Sequence, residues 1–246
     1  MRLDDVQACL RAGIESRSAT VGQFLVLINE QSPNPFLNYA VPVDGAAPTS
    51  ADIATLVTYF TQRQRLPRLE YVRPAAAVDG PLVDAGFDVA ATLTLMALDE
   101  LVDGPPVPDY AVSLPTDADR LRQAVGVQNA AYGEDAAPDP SGALRTLSAG
   151  GCFALAVHRA TGEPAGAGVF AGPQLGMVEI AGIGVAPEHR RRGVARLVTE
   201  ALTAEALRRG HQPFLQVEKD EPFRIYERIG YRVIGEMADA RLVAER

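Results

Sequence analysis

The chain has 246 residues, 47% of them apolar and 22% charged, with a formal net charge of −8. At about 100–200 residues per domain this is one large domain or two small ones, and the composition excludes wholesale disorder. The acidic balance opposes nucleic-acid phosphates, and apolar stretches of about ten residues fall short of the roughly 18–20 that a membrane-spanning helix needs, so neither nucleic acid nor membrane is expected as a partner.

The chain begins Met1-Arg2-Leu3-Asp4-Asp5, with acids where a secretory leader carries bases. Cys9 and Cys152 are its two cysteines, far apart in sequence. They form neither a disulfide framework nor a zinc motif, so no metal is expected and a reducing cytoplasm is the expected setting. A helix is predicted over Ala51–Gln64, then a strand over Pro67–Val72. The segment Asp103-Gly104-Pro105-Pro106-Val107-Pro108 can continue neither a helix nor a central strand. As a linker it divides the chain into residues 1–102 and 109–246.

Beyond the linker, strand and helix patterns alternate. A strand over Tyr110–Leu114 leads to a helix over Asp117–Ala131, with Leu121, Ala124 and Val125 on one face. A short helix over Ser141–Leu147 ends at Gly150-Gly151. Strands over Cys152–His158 and Ala165–Phe170 flank the turn Thr161-Gly162, and a third runs from Met177 to Val185. Val194–Arg208 is the strongest helix, with an apolar stripe of Val194, Leu197, Val198, Ala201 and Leu207, and Gly210 is its stop. A strand over Phe214–Val217, a short helix over Pro222–Arg228 and a last strand from Tyr231 follow. The pattern predicts a mixed α/β fold around one sheet.

The first part repeats the end of the second in outline. Asp84-Ala85-Gly86-Phe87-Asp88-Val89 parallels Arg228-Ile229-Gly230-Tyr231-Arg232-Val233, and Pro67–Val72 parallels Pro213–Val217. The helices upstream of each match in order, at a spacing near 144–146 residues.

The stretch that points to chemistry is Ile183-Gly184-Val185-Ala186-Pro187-Glu188-His189-Arg190-Arg191-Arg192-Gly193-Val194-Ala195-Arg196. It places a basic turn ending in glycine between a strand and a helix. The first N–H groups of a helix have no partner within it and lie at the positive end of its dipole. A pyrophosphate satisfies them, arginines add charge, and glycine admits the anion close to the backbone. Read alone, three arginines also suit a solvated charge run; no Gly-x-Gly-x-x-Gly or Walker lysine occurs there.

Arg190-x-x-Gly193-x-Ala195 after a Val-x-Pro strand end, followed downstream by Ile225-Tyr226-Glu227-Arg228-Ile229-Gly230-Tyr231, resembles the GNAT N-acetyltransferase superfamily. The resemblance covers roughly residues 109–246. It implies a sheet splayed open between the Met177–Val185 and Phe214–Val217 strands, with acetyl-CoA as cosubstrate. The coenzyme-binding residues it implies are Ile183, Gly184, Val185, Arg190, Arg191, Arg192, Gly193, Val194, Ala195 and Arg196. One departure is the missing asparagine near Lys219 or Asp220, where Glu218-Lys219-Asp220-Glu221 is charged and one residue tighter than the family spacing.

The resemblance gives Tyr226 the role of general acid near the coenzyme sulfur; spacing alone suits a core tyrosine. Glu179 is the candidate general base, directly or through water, because a carboxylate among Val178, Ile180, Ala181 and Ile183 is costly to bury unless paired or facing a cleft. A strand-edge glutamate is the other reading. The backbone N–H of Val185, or of a neighbour on the same strand, is the expected oxyanion donor. His158, His189 and His211 read as solvated, Cys152 as core, and Asn129 and Tyr132 lie where acceptor-binding loops fall. In the first part, Leu82 stands where Tyr226 stands, and the turn Val43–Ser50 has no arginine. The fold expected is therefore a partly duplicated GNAT-like α/β fold, with a degenerate first lobe that lacks a coenzyme site. The expected activity is acetyl transfer to a primary amine of a small molecule or peptide. A non-catalytic acyl-CoA-binding module is the alternative, and the sequence is silent on oligomeric state.

Overall fold

The structure is a computed structural model that describes residues 1–89, 92–218 and 224–243. It divides into two compact units: Met1–Leu95 with Val217–Asp220 and Ile234–Arg246, and Met96–Gln216 with Glu221–Val233.

In the first unit, helix α1 (Leu3–Glu15) precedes a meander of β1 (Ala19–Val21), β2 (Phe24–Leu27) and β3 (Tyr39–Pro42). Helix α2 (Ser50–Thr61) leads to β4 (Arg68–Arg73), which runs parallel to β3 through a single register pair, Ala40 with Leu69. Helix α3 (Ala76–Asp84), β5 (Phe87–Asp88) and β6 (Thr92–Leu98) follow, and β6 passes out of this unit after Leu95. Ile53, Leu56 and Phe60 of α2 and Val78 and Leu82 of α3 are buried against Phe24, Val26, Leu69 and Tyr71.

In the second unit, β7 (Tyr110–Ser113) leads through α4 (Ala118–Tyr132) and α5 (Ser141–Ser148) to β8 (Cys152–His158), β9 (Pro164–Phe170) and β10 (Met177–Val185). These four strands pair antiparallel in the order β7-β8-β9-β10. Helix α6 (Val194–Arg208) crosses to β11 (Gln212–Glu218), parallel to β10, and α7 (Arg224–Glu227) leads into β12 (Tyr231–Leu242). Each unit thus runs meander, helix, parallel strand, short helix.

The units do not divide at the proline-rich linker. The sequence places everything after residue 108 in one lobe, whereas β12 ends in the first unit, where Glu236–Arg241 pair antiparallel with Arg68–Arg73. A buried ion pair fixes that register: the Arg68 Nε donates to Asp239 at 2.7 Å and its Nη2 to Glu70 at 2.5 Å. Alternation along a strand does not say which edge it joins, so the linker is the wrong marker of the boundary.

Small residues on β9 let the helices approach the sheet. A Cβ on Gly168 would lie 2.5 Å from Ile183 Cδ1 and 2.9 Å from Val198 Cγ1 of α6. Gly168→Val is therefore expected to destabilise the protein by about 1–3 kcal/mol through overpacking, read as a lower denaturation midpoint in urea.

At the far end of α6, Glu205 accepts bonds of 2.6 Å from Arg208 and 2.7 Å from Arg209. The Arg208 hydrogen bonds, then that of Arg209, hold its carboxyl down at about 2 against an ordinary value of 4.5. A depressed carboxylate stabilises the fold fully above its unfolded value and loses that contribution as pH falls through the folded one. The difference in Tm between the native chain and Glu205→Gln should therefore be constant above about pH 5 and shrink between about pH 4.5 and 2.

Candidate functional site

The site grows from the place where β10 and β11 separate. They pair through Met177 with Gln212, Val178 with Pro213 and Glu179 with Phe214, and the register goes no further although both strands continue. The opening expected between these strands is thus present, and Glu179 stands at its apex. Glu179 is half-buried, and its Oε1 accepts a 3.0 Å hydrogen bond from Gln216 Nε2 on β11. The sequence does not single out Gln216, because nothing in a strand pattern says which polar residue faces a neighbour's carboxylate.

On its other edge β10 is irregular. Its register against β9 shifts between Ala181 and Gly184, and Gly182 has φ +61°, a conformation glycine adopts without steric cost. The side chain of Gln128 on α4 donates to the Gly182 carbonyl at 2.7 Å. Gly184 serves packing: a Cβ there would lie 2.9 Å from the Ala131 Cβ of α4. The hydroxyl of exposed Tyr132, at the end of α4, lies 3.5 Å from the Ile183 carbonyl, while Asn129 bonds the Ala136 carbonyl at 3.0 Å.

After Val185, one helical turn (Pro187–His189) leads into the basic segment. Arg190 donates from Nε to the Val185 carbonyl at 3.2 Å, tying the turn back to the strand end. Arg191 has φ +59° and Gly193 has φ +84°, so two residues of the turn lie in the left-handed region. Such a turn directs successive N–H groups to one side. Gly193 is the N-cap of α6, and no side chain caps that helix. Its first bond runs from the Leu197 N–H to the Gly193 carbonyl at 3.0 Å, leaving the N–H groups of Val194, Ala195 and Arg196 without acceptors inside the helix. Arg191 and Arg192 are exposed, and among the described residues no carboxylate lies within ion-pair distance of either. The geometry is an uncapped helix start beside unneutralised guanidinium groups, which suits a polyanion.

Two readings of the sequence need correction here. The side chain of Arg196 does not face the turn: it is buried, paired with Glu200 at 2.5 Å and bonded to the Pro105 carbonyl. It clamps the linker, and only its backbone N–H belongs with the helix start. His189 is not solvated: it is 6% exposed, its Nδ1 lies 3.0 Å from the Tyr110 hydroxyl, and its ring stacks on His158 at 5.9 Å. A histidine inside a basic run carries no sign of burial, because its partners come from β7 and β8.

The short α7 packs against α6 and carries Tyr226, which is half-buried. The buried tyrosine of this motif is Tyr231, whose hydroxyl bonds Thr203 of α6 at 2.7 Å and whose phenol is pushed upward by burial. Gly230 has φ +106°, and a Cβ there would strike the Glu100 carbonyl. That contact, with the Val102 N–H donating to the Ile229 carbonyl at 2.9 Å, anchors the end of the motif. The departure noted at Lys219 and Asp220 lies outside the described residues. Cys152 is core, its thiol pushed up by burial to about 11. Among the described residues no cluster could hold a metal ion, and no helix is long and apolar enough to cross a membrane.

The first unit differs at the helix start and at the tyrosine position. Helix α2 is closed: Thr49 Oγ1 accepts the Asp52 N–H at 3.2 Å, and the Asp52 carboxylate takes the Thr49 N–H at 2.8 Å. The carboxylate sits where an anion would bind. Leu82, in the place of Tyr226, is fully buried.

Residues 165–241 match the family model described as FR47-like protein. A GCN5-related N-acetyltransferase from Kribbella flavida is similar over 100% of this chain and 96% of its own, with 22% identity and a TM-score of 0.80. A putative GNAT acetyltransferase from Novosphingobium aromaticivorans is similar over 98% of this chain and 97% of its own, at 20% identity and a TM-score of 0.63. A tandem GNAT protein from the clavulanic acid biosynthesis pathway covers 92% of this chain and 80% of its own, at 14% identity and a TM-score of 0.63. The comparison with curated proteins gave no match. The chain has the GNAT fold.

Proposed function

We propose that this GNAT-fold chain is an acyl-CoA-dependent N-acyltransferase that moves an acetyl group from acetyl-CoA to a primary amine of a small molecule or peptide. The observation that carries the reading is the uncapped start of α6 beside Arg191 and Arg192, next to the opening between β10 and β11. The N–H groups of Val194, Ala195 and Arg196 hold the pyrophosphate, and the guanidinium groups of the turn add charge. The parted strands, with Ile183, Gly184 and Val185 on one side, take the thioester arm.

Acetyl-CoA supplies an activated acyl group, so much of the rate comes from positioning. Glu179 accepts the amine's proton, directly or through one water, and Gln216 fixes the orientation of that carboxylate. A β10 backbone N–H, that of Val185 or a neighbour, stabilises the carbonyl oxygen as charge builds on it. The new C–N bond forms, the C–S bond breaks, and the Tyr226 hydroxyl gives its proton to the departing sulfur. The first unit has no coenzyme site, because Asp52 closes the start of α2.

The test is thiol release from acetyl-CoA with a panel of primary amines, together with calorimetric titration of the coenzyme. Amine-dependent release and one coenzyme per chain are expected. Tight binding with no turnover across small amines, amino acids and peptides favours the alternative, an acyl-CoA-binding module. No binding at all removes both.

A further inference from the structure

The first unit contains an open cavity of about 560 Å3, lined by α1, the turn after β3, the end of β4 and the start of α3. That volume lies within the roughly 300–1,000 Å3 of small-molecule sites, and the walls are mostly apolar, with a few polar groups, as such sites are. Two of those polar groups, Tyr71 and Arg73, are satisfied by Asp79. The Tyr71 hydroxyl donates to Asp79 at 2.6 Å, and Arg73 donates two bonds to the same carboxylate at 2.8 and 3.0 Å. Arg73 is therefore neutralised.

Two groups on α1 differ. Gln7 and Arg11 both line the cavity and stand four residues apart, so they share a face of the helix about 6 Å apart along its axis. Gln7 Oε1 accepts the Val72 N–H at 2.7 Å, which fixes which end of the amide is nitrogen. Its Nε2 is buried and has no hydrogen-bond acceptor. A buried donor without a partner is costly, and an acceptor that reaches it from the cavity relieves that cost. Arg11 bonds Asp44 at 2.8 Å, but the Asp44 side chain is 92% exposed. An ion pair held by so exposed a partner is worth little, so another carboxylate can replace it.

We propose that this cavity is a binding site for a small carboxylic acid with an apolar body. The carboxylate lies between Gln7 Nε2 and the Arg11 guanidinium, and the apolar body lies against the side chains of Leu3, Val43, Ala46 and Val78. The closed start of α2, with the Asp52 carboxylate on it, argues against a pyrophosphate-bearing ligand in this unit. The proposal is independent of acyl transfer, and its readout is binding.

The experiment is saturation-transfer NMR on the full chain with hexanoate, and with hexanamide and hexanol as the arms that vary the head group. Gln7→Glu keeps an acceptor for the Val72 N–H and turns the orphaned donor into an acceptor. Arg11→Gln removes the cation, and Ala77→Phe fills the cavity from an exposed position on α3. Hexanoate should bind the native chain more tightly than hexanamide, and hexanol should give no signal. Gln7→Glu and Ala77→Phe should each weaken hexanoate at least tenfold, Arg11→Gln should weaken it less, and circular-dichroism melts should be unchanged. No transfer to hexanoate overturns the proposal. So does hexanoate binding that Ala77→Phe and either folded α1 variant leave intact, or hexanol binding as well as hexanoate.

Discussion

Tyr226→Phe is expected to lower turnover by about 10–10³-fold while coenzyme affinity and Tm stay near the native values. The substitution keeps the ring and removes only the hydroxyl. The size follows from a coenzyme thiol being a fairly good leaving group, so one proton donor contributes at or below the usual range for acid–base catalysis. Tyr231 is the internal control. It sits five residues on, is buried, and bonds Thr203. Tyr231→Phe should cost about 1 kcal/mol of stability, from the lost partner of a buried hydroxyl, and leave turnover normal. Measuring kcat and Tm on both variants separates a proton donor from a structural phenol. Full kcat in Tyr226→Phe would return that residue to a packing role and leave the acid unassigned.

The second unit was more legible in the sequence than the first, for physical reasons. Val194–Arg208 and Met177–Val185 form over the residues expected. A long amphipathic stripe and a strand ended by Pro187 are local signals, and local signals survive without tertiary knowledge. The hairpin β1–β2 and the strand β3 are three or four residues each, too short for an alternation to show. Helix α1 is hidden for another reason: at the chain start, Asp4 and Asp5 speak first against a leader peptide. They are also good first-turn residues of a helix that buries Val6, Cys9 and Ile14. At the site, the turn, the opening between strands and Tyr226 came from the motif. Gln216, the inward turn of Arg196 and the burial of His189 did not, because each depends on a residue far away in the chain. The order of elements that suggested a repeat recurs in both units, but β12 crosses the division and the linker does not mark it.

The coenzyme turn makes a prediction that the backbone geometry sharpens. Gly193→Val is the direct way to crowd the start of α6, and it should weaken acetyl-CoA. It is a poor test by itself. Gly193 has φ +84°, where a β-branched residue costs about 1–2 kcal/mol, and its Cβ would lie 3.3 Å from Val107. Weaker binding in that variant would mix a blocked site with a displaced turn. Arg191 and Arg192 give a cleaner reading, because both are exposed and removing their charge breaks no ion pair among the described residues. Arg191 already tolerates φ +59°, so only the side-chain charge need change there. Arg191→Gln with Arg192→Gln should weaken acetyl-CoA about 30–100-fold, at about 1–1.4 kcal/mol for each lost charge-assisted contact to phosphate, with Tm unchanged. The loss should be smaller for a pantetheine thioester, which has no pyrophosphate. It should also shrink as salt rises, since the native affinity is the one that salt screens. Equal weakening for acetyl-CoA and the pantetheine thioester would mean that the turn acts on the arm or the fold, and the pyrophosphate would have to be held elsewhere.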